Sequence, residues 1–238
     1  MFDGQYQANY YKYFNIPFKY IHTEKLPVID INTGAPRYQY IDAVFDKPQI
    51  ADYKYLKERI EICEKPKLNA LGDFEYFSKG VKKSALCKTW YNNVLLSADK
   101  EIAKQMTNNT YNYFYNICKQ KNSADLIWTT FKDYQKLLKK SPFSKEDCFV
   151  SCTARATNKF KERHYCAYLI NIYADPFVKK FFAYRNVEMD EDIFALSELI
   201  QWLFRSAIRK GDKIYVYIPS QRMRELLQVW LDGNFIYW

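Results

Sequence analysis

Glycine is scarce in this chain, with 6 in 238 residues. A phosphate-cradling loop of the Gly-x-x-x-x-Gly-Lys-[Ser/Thr] type needs glycines so that backbone N–H groups can close on the phosphates, and no segment fits. Gly80-Val-Lys-Lys-Ser84 offers the lysine and serine without the glycine spacing. Histidine is scarcer still: His22 and His164 are the only two. They supply neither a catalytic triad nor a histidine-based metal cluster, and His164 reads as a loop or strand-end residue. There is no Gly-x-Ser-x-Gly elbow. The acidic residues form no recognisable two-metal pattern. Asp190-Glu-Asp192 has the look of a magnesium-binding acidic motif, but no strand precedes it. It opens a helix, where negative charge complements the helix dipole. The six cysteines (63, 87, 118, 148, 152 and 166) are scattered, and no Cys/His pair stands at finger spacing. They read as reduced, mostly buried thiols, so no metal and no cofactor is expected. No secretory apolar region opens the chain and no apolar run is long enough to span a bilayer, so the expected location is the cytoplasm.

What the chain has in excess is aromatic and basic character. Hydrophobic residues make up 48%, enough for a real core. There are 22 Tyr, 17 Phe and 5 Trp. Tyrosine packs, hydrogen-bonds and stacks on nucleobases. The net charge of +9 suits a polyanion such as nucleic acid, or serves solubility alone.

The pattern divides the chain into residues 1–120 and 121–238. The first part mixes helices with short strands at Pro17–His22, Leu26–Ile31 and Arg37–Val44, which predicts an α+β extension with a small antiparallel sheet. Spacing predicts helices over Asp52–Cys63 and Lys100–Cys118, the latter interrupted near Asn108, and a strand over Trp90–Ser97. The second part alternates. Strands are expected at Ala124–Phe131, Cys148–Cys152, Tyr165–Tyr173 and Lys213–Ile218. Helices are expected at Lys132–Lys140, Phe177–Tyr184, Glu191–Arg209 and Ser220–Asp232, the last with Ser220 as N-cap. That alternation predicts an α/β lobe with a mainly parallel sheet covered on both faces.

Two segments carry candidate chemistry. On the helix over Glu191–Arg209, Gln201, Arg205 and Arg209 recur every four residues and share a face. They form either a solvated polar stripe or a comb of donors aimed at phosphate. The loop 153–163 follows a strand, and in open α/β sheets ligands bind at the carboxyl ends of strands. Thr153, Arg155, Thr157, Asn158, Lys159, Lys161 and Arg163 form either an ordinary polar connection or a set of donors for a sugar-phosphate backbone. The opening aromatics (Tyr6, Tyr10, Tyr11, Tyr13, Phe14, Phe18 and Tyr20) either pack beneath the small sheet or offer a stacking platform for single-stranded bases.

Four segments resemble the C-terminal RecA-like lobe of superfamily-2 helicases, particularly the DEAD/DEAH-type helicases of phages. Met1-Phe-Asp-Gly4 looks like the Asp-Gly after the third motif. Ala124–Phe131 looks like the fourth-motif strand. Cys152-Thr-Ala-Arg-Ala-Thr-Asn158 stands in the place of the fifth motif, whose loop touches nucleic acid and the nucleotide cleft in that family. Gln201-Trp-Leu-Phe-Arg-Ser-Ala-Ile-Arg209 resembles the sixth motif, Gln-x-x-Gly-Arg-x-x-Arg, with Phe204 replacing Gly and Arg209 one residue late. The resemblance runs over residues 124–231. It implies that Arg205 matches the first arginine of the sixth motif. The first lobe, with its phosphate loop and acidic motif, has no counterpart from Met1 onward.

The resemblance implies a nucleic-acid-binding protein; the missing phosphate loop and acidic motif imply no ATPase activity and no catalytic residue, and Tyr-rich, Arg-bearing surfaces suit unstacked single strands, so RNA is preferred over DNA. In its truncation the chain looks similar to the helicase-lobe anti-CRISPR proteins, which lower expression of the type VI-A nuclease. A CRISPR nuclease transcript is then an implied partner. The rival readings are half of an ATP-dependent helicase acting with a separate first lobe, and a module that docks a protein partner.

Overall fold

A computed structural model describes residue 9 and residues 11–17, 23–29, 36–42, 50–78, 80–95, 101–154 and 158–234. The strand expected at Pro17–His22 falls almost wholly outside them. An antiparallel hairpin joins β1 (Thr23–Ile29) to β2 (Pro36–Asp42), in register Leu26 with Gln39. This is the small sheet expected in the first part.

Helix α1 (Ile50–Arg59) runs directly into β3 (Ile60–Ile62). A second hairpin, β4 (Glu75–Ser78) and β5 (Val81–Ser84), precedes helix α2 (Glu101–Asn112). The main sheet is completed by β6 (Leu126–Thr129), β7 (Tyr165–Tyr168) and β8 (Ile214–Tyr217). Its order is β3-β8-β7-β6, and every pairing is parallel. Phe149 adds one parallel bridge outside Trp128. Helices α3 (Pro176–Ala183), α4 (Glu191–Leu203) and α5 (Gln221–Leu231) follow β7 and β8.

Strand alternation builds two cores. Ile127, Cys166, Tyr168, Ile214 and Val216 face α4 and α5, where they meet Leu196, Leu199, Trp202 and Leu227. Leu126, Trp128, Ala167 and Tyr217 face the other way and meet Trp90, Tyr91, Met106, Tyr113 and Phe114. The sheet is therefore covered on both faces, as a parallel sheet requires.

Several local expectations differ. The division at residues 120–121 does not bound the sheet, because its edge strand β3 and most of one covering layer come from before it. The spacing of Tyr55, Leu56, Ile60 and Cys63 mimics a helix across a helix–strand junction. Trp90–Ser97 is no strand where described: Lys88–Trp90 is helical and Tyr91–Leu95 is a wide helical turn. Helix α2 passes through Asn108 unbroken. The helix expected at Lys132–Lys140 is one tight turn, Lys132–Tyr134. The helix expected over Glu191–Arg209 stops at Leu203.

The strand order places the sheet's switch point between β6 and β7, since the chain leaves β6 toward Phe149 and leaves β7 toward β8. In such folds ligands enter the crevice at the carboxyl ends of those two strands. Here the chain itself fills it. Tyr91 is fully buried, its hydroxyl donating to the Leu169 carbonyl and accepting from Thr130 Oγ1 at 3.0 Å. The Asn171 amide donates to the Leu86 carbonyl at 2.9 Å. At the end of β8, Arg224 donates to the Ile218 and Pro219 carbonyls and pairs with Asp73 at 2.6 Å. Gly72 lies so close to this edge that a Cβ there would sit 2.0 Å from the Pro219 oxygen.

Candidate nucleic-acid interface

Helix α4 is capped at its start by Asp190, whose carboxylate accepts from the amides of Asp192 and Ile193 at 2.8 and 2.9 Å. Asp190-Glu-Asp192 is thus a helix start, as its acidic character predicts. The helix ends because Ser206 is extended (φ −83°, ψ −171°) and its hydroxyl donates to the Leu203 carbonyl at 2.6 Å. A tight turn over Ala207–Lys210 follows, closed by Gly211 in the left-handed region (φ 86°). Gln201, Arg205 and Arg209 therefore do not share one helix face: Gln201 stands on α4, Arg205 lies past its end, and Arg209 is in the turn.

The turn is tied to the 158–163 segment. The Ala207 amide donates to the Arg163 carbonyl at 2.9 Å. Arg209 donates to the Asn158 side-chain oxygen, and Lys210 pairs with Glu162. Asn158, Lys159, Lys161 and Arg209 are exposed on this junction. It lies at the amino ends of β7 and β8, since Arg163 and His164 lead into β7 and Gly211 to Lys213 lead into β8. The sequence places the loop at the carboxyl ends instead. Thr153 and Ala154 do leave from that end, whereas residues 158–163 lie at the other and lead into β7. Thr153 is exposed and bonded to Ser151 Oγ at 3.1 Å, apart from the junction. Arg155 and Thr157 lie outside the described residues.

Arg163 is not a surface donor, and its assignment to nucleic-acid contact is corrected. It is buried, donating to the carbonyls of Ser123 (3.3 Å) and Leu126 (2.5 Å) and pairing with Asp147 at 3.1 Å. Burial opposes ionisation of Asp147, but the hydrogen bond and charge of Arg163 outweigh it and hold the carboxyl below its ordinary range. His164 stands at the start of β7, its ring nitrogen 2.8 Å from Asp125.

Arg205 is the contrasting case. Its side chain is also buried, at 8% exposure, yet its Nε has no hydrogen-bond partner. Burial pulls its pKa below the ordinary value, opposed by the charge of Glu198 seven residues earlier. Among the described residues no group of three or more His, Cys, Asp or Glu could hold a metal ion. Burial pushes the Cys118 thiol up to about 12 and the Cys148 thiol to about 11, so these two are poor nucleophiles. No described helix is long and apolar enough to cross a membrane.

Two features carry no flag in the sequence reading. Arg222 bonds to Asp192, Asn171, the Ile172 carbonyl and the Glu191 carbonyl, and lies 4.3 Å over the Tyr173 ring. It walls an open depression of about 1240 Å³ shared with Lys179, Lys180, Asn186 and Glu188. Beside it, α3 exposes Phe177 and Phe181, and Tyr184, which caps its end, is exposed as well. Their i, i+4, i+7 spacing is legible in the sequence, but a short apolar helix is ordinarily read as packed inward.

The parallel sheet, its two helical layers and the β7-to-β8 crossover through α3 and α4 define a Rossmann-like α/β domain. Residues 54–231 match the YonV C-terminal Rossmann-like domain, and the chain belongs to that family. It is 35% identical over 234 residues to the SPbeta prophage-derived uncharacterized protein YonV of Bacillus subtilis (strain 168). That match covers 98% of the chain and 51% of the relative, so the chain spans about half the length of the curated relative. No solved structure matches.

Proposed function

We propose that the chain binds nucleic acid through its phosphate backbone, RNA preferred, at the junction between residues 158–163 and 204–210. The observation that carries this reading is Arg205. A buried cation is normally paired and fully hydrogen-bonded, because leaving it bare forfeits its hydration. Arg205 has no partner at Nε, while Asn158, Lys161 and Arg209 stand exposed on the same junction. Nε is closed to solvent in the free chain, so the turn must open to admit a phosphate oxygen, which would then supply the missing acceptor to a guanidinium fork that suits it.

The test is RNA affinity by fluorescence anisotropy at stepped salt. Affinity is expected to fall steeply with salt, with a slope of about −0.7 per phosphate contacted on a single strand. Arg205→Met and Arg209→Ala should each weaken binding about tenfold or more, the loss of one charge-assisted contact. A flat salt response would reduce the positive charge to a solubility device.

The reading includes no ATP turnover by this chain alone. RNA-stimulated ATPase activity that survives repurification would overturn that part. A second reading, half of a two-part ATP-dependent machine, draws on the chain matching only half of its relative; ATPase assays with the relative's other half added separate the two. A role against CRISPR nuclease expression is the narrowest form of the proposal and rests on the helicase-lobe resemblance alone. A protein-docking role is the outcome if RNA crosslinking in cells fails.

A further inference from the structure

We propose that the aromatic stripe of α3, with Tyr13 laid against it, is a second contact site that stacks unpaired nucleobases. The proposal rests on the nucleic-acid reading above and concerns a different surface. Helix α3 follows β7 and lies by the start of α4, whereas the phosphate-binding junction lies past the end of α4. The 13 residues of α4 separate the two by about 20 Å.

Phe177 and Tyr184 are 81% and 80% exposed, and Phe181 is 44% exposed. Rings this exposed on a monomer surface are unusual when they cluster, and such clusters mark contact sites. The stripe is ordered from beneath. Phe182 is buried and meets Phe181 edge-on at 5.3 Å. Tyr13 stacks on Phe181 with centroids 4.3 Å apart and planes 15° from parallel. Arg185 lies 5.6 Å from the Tyr13 ring centre. Phe177 and Phe181 are separated by about 6 Å along the helix axis, and Tyr184 lies about 4.5 Å further on. Three ring faces thus follow one another in a line, the outer two open.

Charge decides between occupants. The core of a protein–protein interface is depleted of charged residues. Here cations alternate with the rings: Lys12 precedes Tyr13, Lys180 stands between Phe177 and Phe181, and Arg185 follows Tyr184. All three are exposed. The acidic side chains nearby are engaged: Asp175 caps α3 by accepting from the Phe177 amide, Glu191 pairs with Lys179 at 3.1 Å, and Asp192 pairs with Arg222. Asp190 caps α4, and among the described residues Glu188 is the exposed carboxylate left on the rim. Aromatic faces beside cations are what single-strand binders use, because every base has a π face and every nucleotide a phosphate.

The experiment uses the full chain and a 12-nucleotide single strand carrying 2-aminopurine, with a duplex of the same sequence as control. Single-strand binding should quench the 2-aminopurine, and Phe177→Ala with Tyr184→Ala should abolish the quench and weaken binding roughly 5- to 150-fold per ring. Duplex affinity and the salt slope should hold, since no phosphate contact is removed. The matched pair Phe177→Leu and Tyr184→Leu should lose as much, because leucine is apolar but has no π face. Both side chains are solvent-exposed, so melting temperatures should stay within a degree or two of the parent. If wild type binds RNA and the leucine pair binds equally well, stacking is refuted and the phosphate-binding reading stands. If wild type binds no nucleic acid, the phosphate-binding reading fails and this proposal with it. Binding of the leucine pair to phosphatidylserine vesicles, together with unchanged RNA affinity, would assign the stripe to a membrane surface and overturn the proposal.

Discussion

Arg163 and Arg205 are both buried arginines, and the difference in their partners sets opposite expectations. Replacing Arg163 with Met strands two carbonyls and the Asp147 carboxylate. We expect a loss of about 2–3 kcal/mol in denaturant unfolding, moderated because Asp147 is partly exposed. Arg205→Met removes a desolvated charge and keeps an unbranched chain of similar length. Its stability should be unchanged or slightly raised, within about 1 kcal/mol, while RNA affinity drops. A large stability loss in Arg205→Met would show that this arginine serves the fold. Acid dependence follows from Asp147. Its folded pKa is depressed below an unfolded value of about 3.9, so its stabilisation is complete above that value and lost as pH falls through the folded one. The melting-temperature gap between wild type and Asp147→Asn should therefore be constant near neutral pH and close below about pH 4.

Elements with strong end signals were legible from sequence. Ser220 caps α5 by accepting from the Met223 amide, and Gly233 follows the helix with φ 72°, as the Ser and Gly positions indicate. Asp175 caps α3 with Pro176 in its first turn, one residue ahead of the start expected at Phe177. The long central helix was legible at its start and not at its end, because the stop depends on a serine hydroxyl turning back to Leu203 and on backbone at Ser206, neither of which alters the apolar period. The sixth-motif spacing was therefore read onto a helix that has already ended. Strand β3 was missed because three residues are too few for any period to register. Residues 158–163 were assigned to the wrong end of the sheet because the residues alone do not say where a segment without periodicity comes to lie. Its contact with the 204–210 turn is a tertiary fact. At this scale the sharpest test is Gly72→Ala. A Cβ 2.0 Å from the Pro219 oxygen forces backbone apart, and we expect a destabilisation above about 3 kcal/mol, against about 1–2 for Gly80→Ala, where nothing lies within 4 Å and only the left-handed φ of 75° is strained.

For the whole molecule, the expected two-part division and the observed sheet make different predictions about fragments. One face of the sheet is covered by Leu86, Trp90, Tyr91, Met106, Tyr113 and Phe114, all before residue 121. A fragment of residues 121–238 should expose that face and its unpaired β8 edge. It should be insoluble or lack a cooperative melt. Residues 50–234 should melt cooperatively by circular dichroism. A well-folded 121–238 fragment would restore the division read from the sequence.

The pairing of β3 with β8 sets a timetable for synthesis. Ile62 and Val216 lie on adjacent strands, so an early edge strand cannot find its neighbour until most of the chain has left the ribosome. At typical elongation rates of 5–20 residues per second, that wait is on the order of 8–30 s. The apolar layer that precedes β6 has no sheet to cover until β6 and β7 emerge, and lacks Tyr217 until β8 does. Nascent chains of this protein should therefore stay protease-sensitive until β8 emerges, and then become resistant in one step.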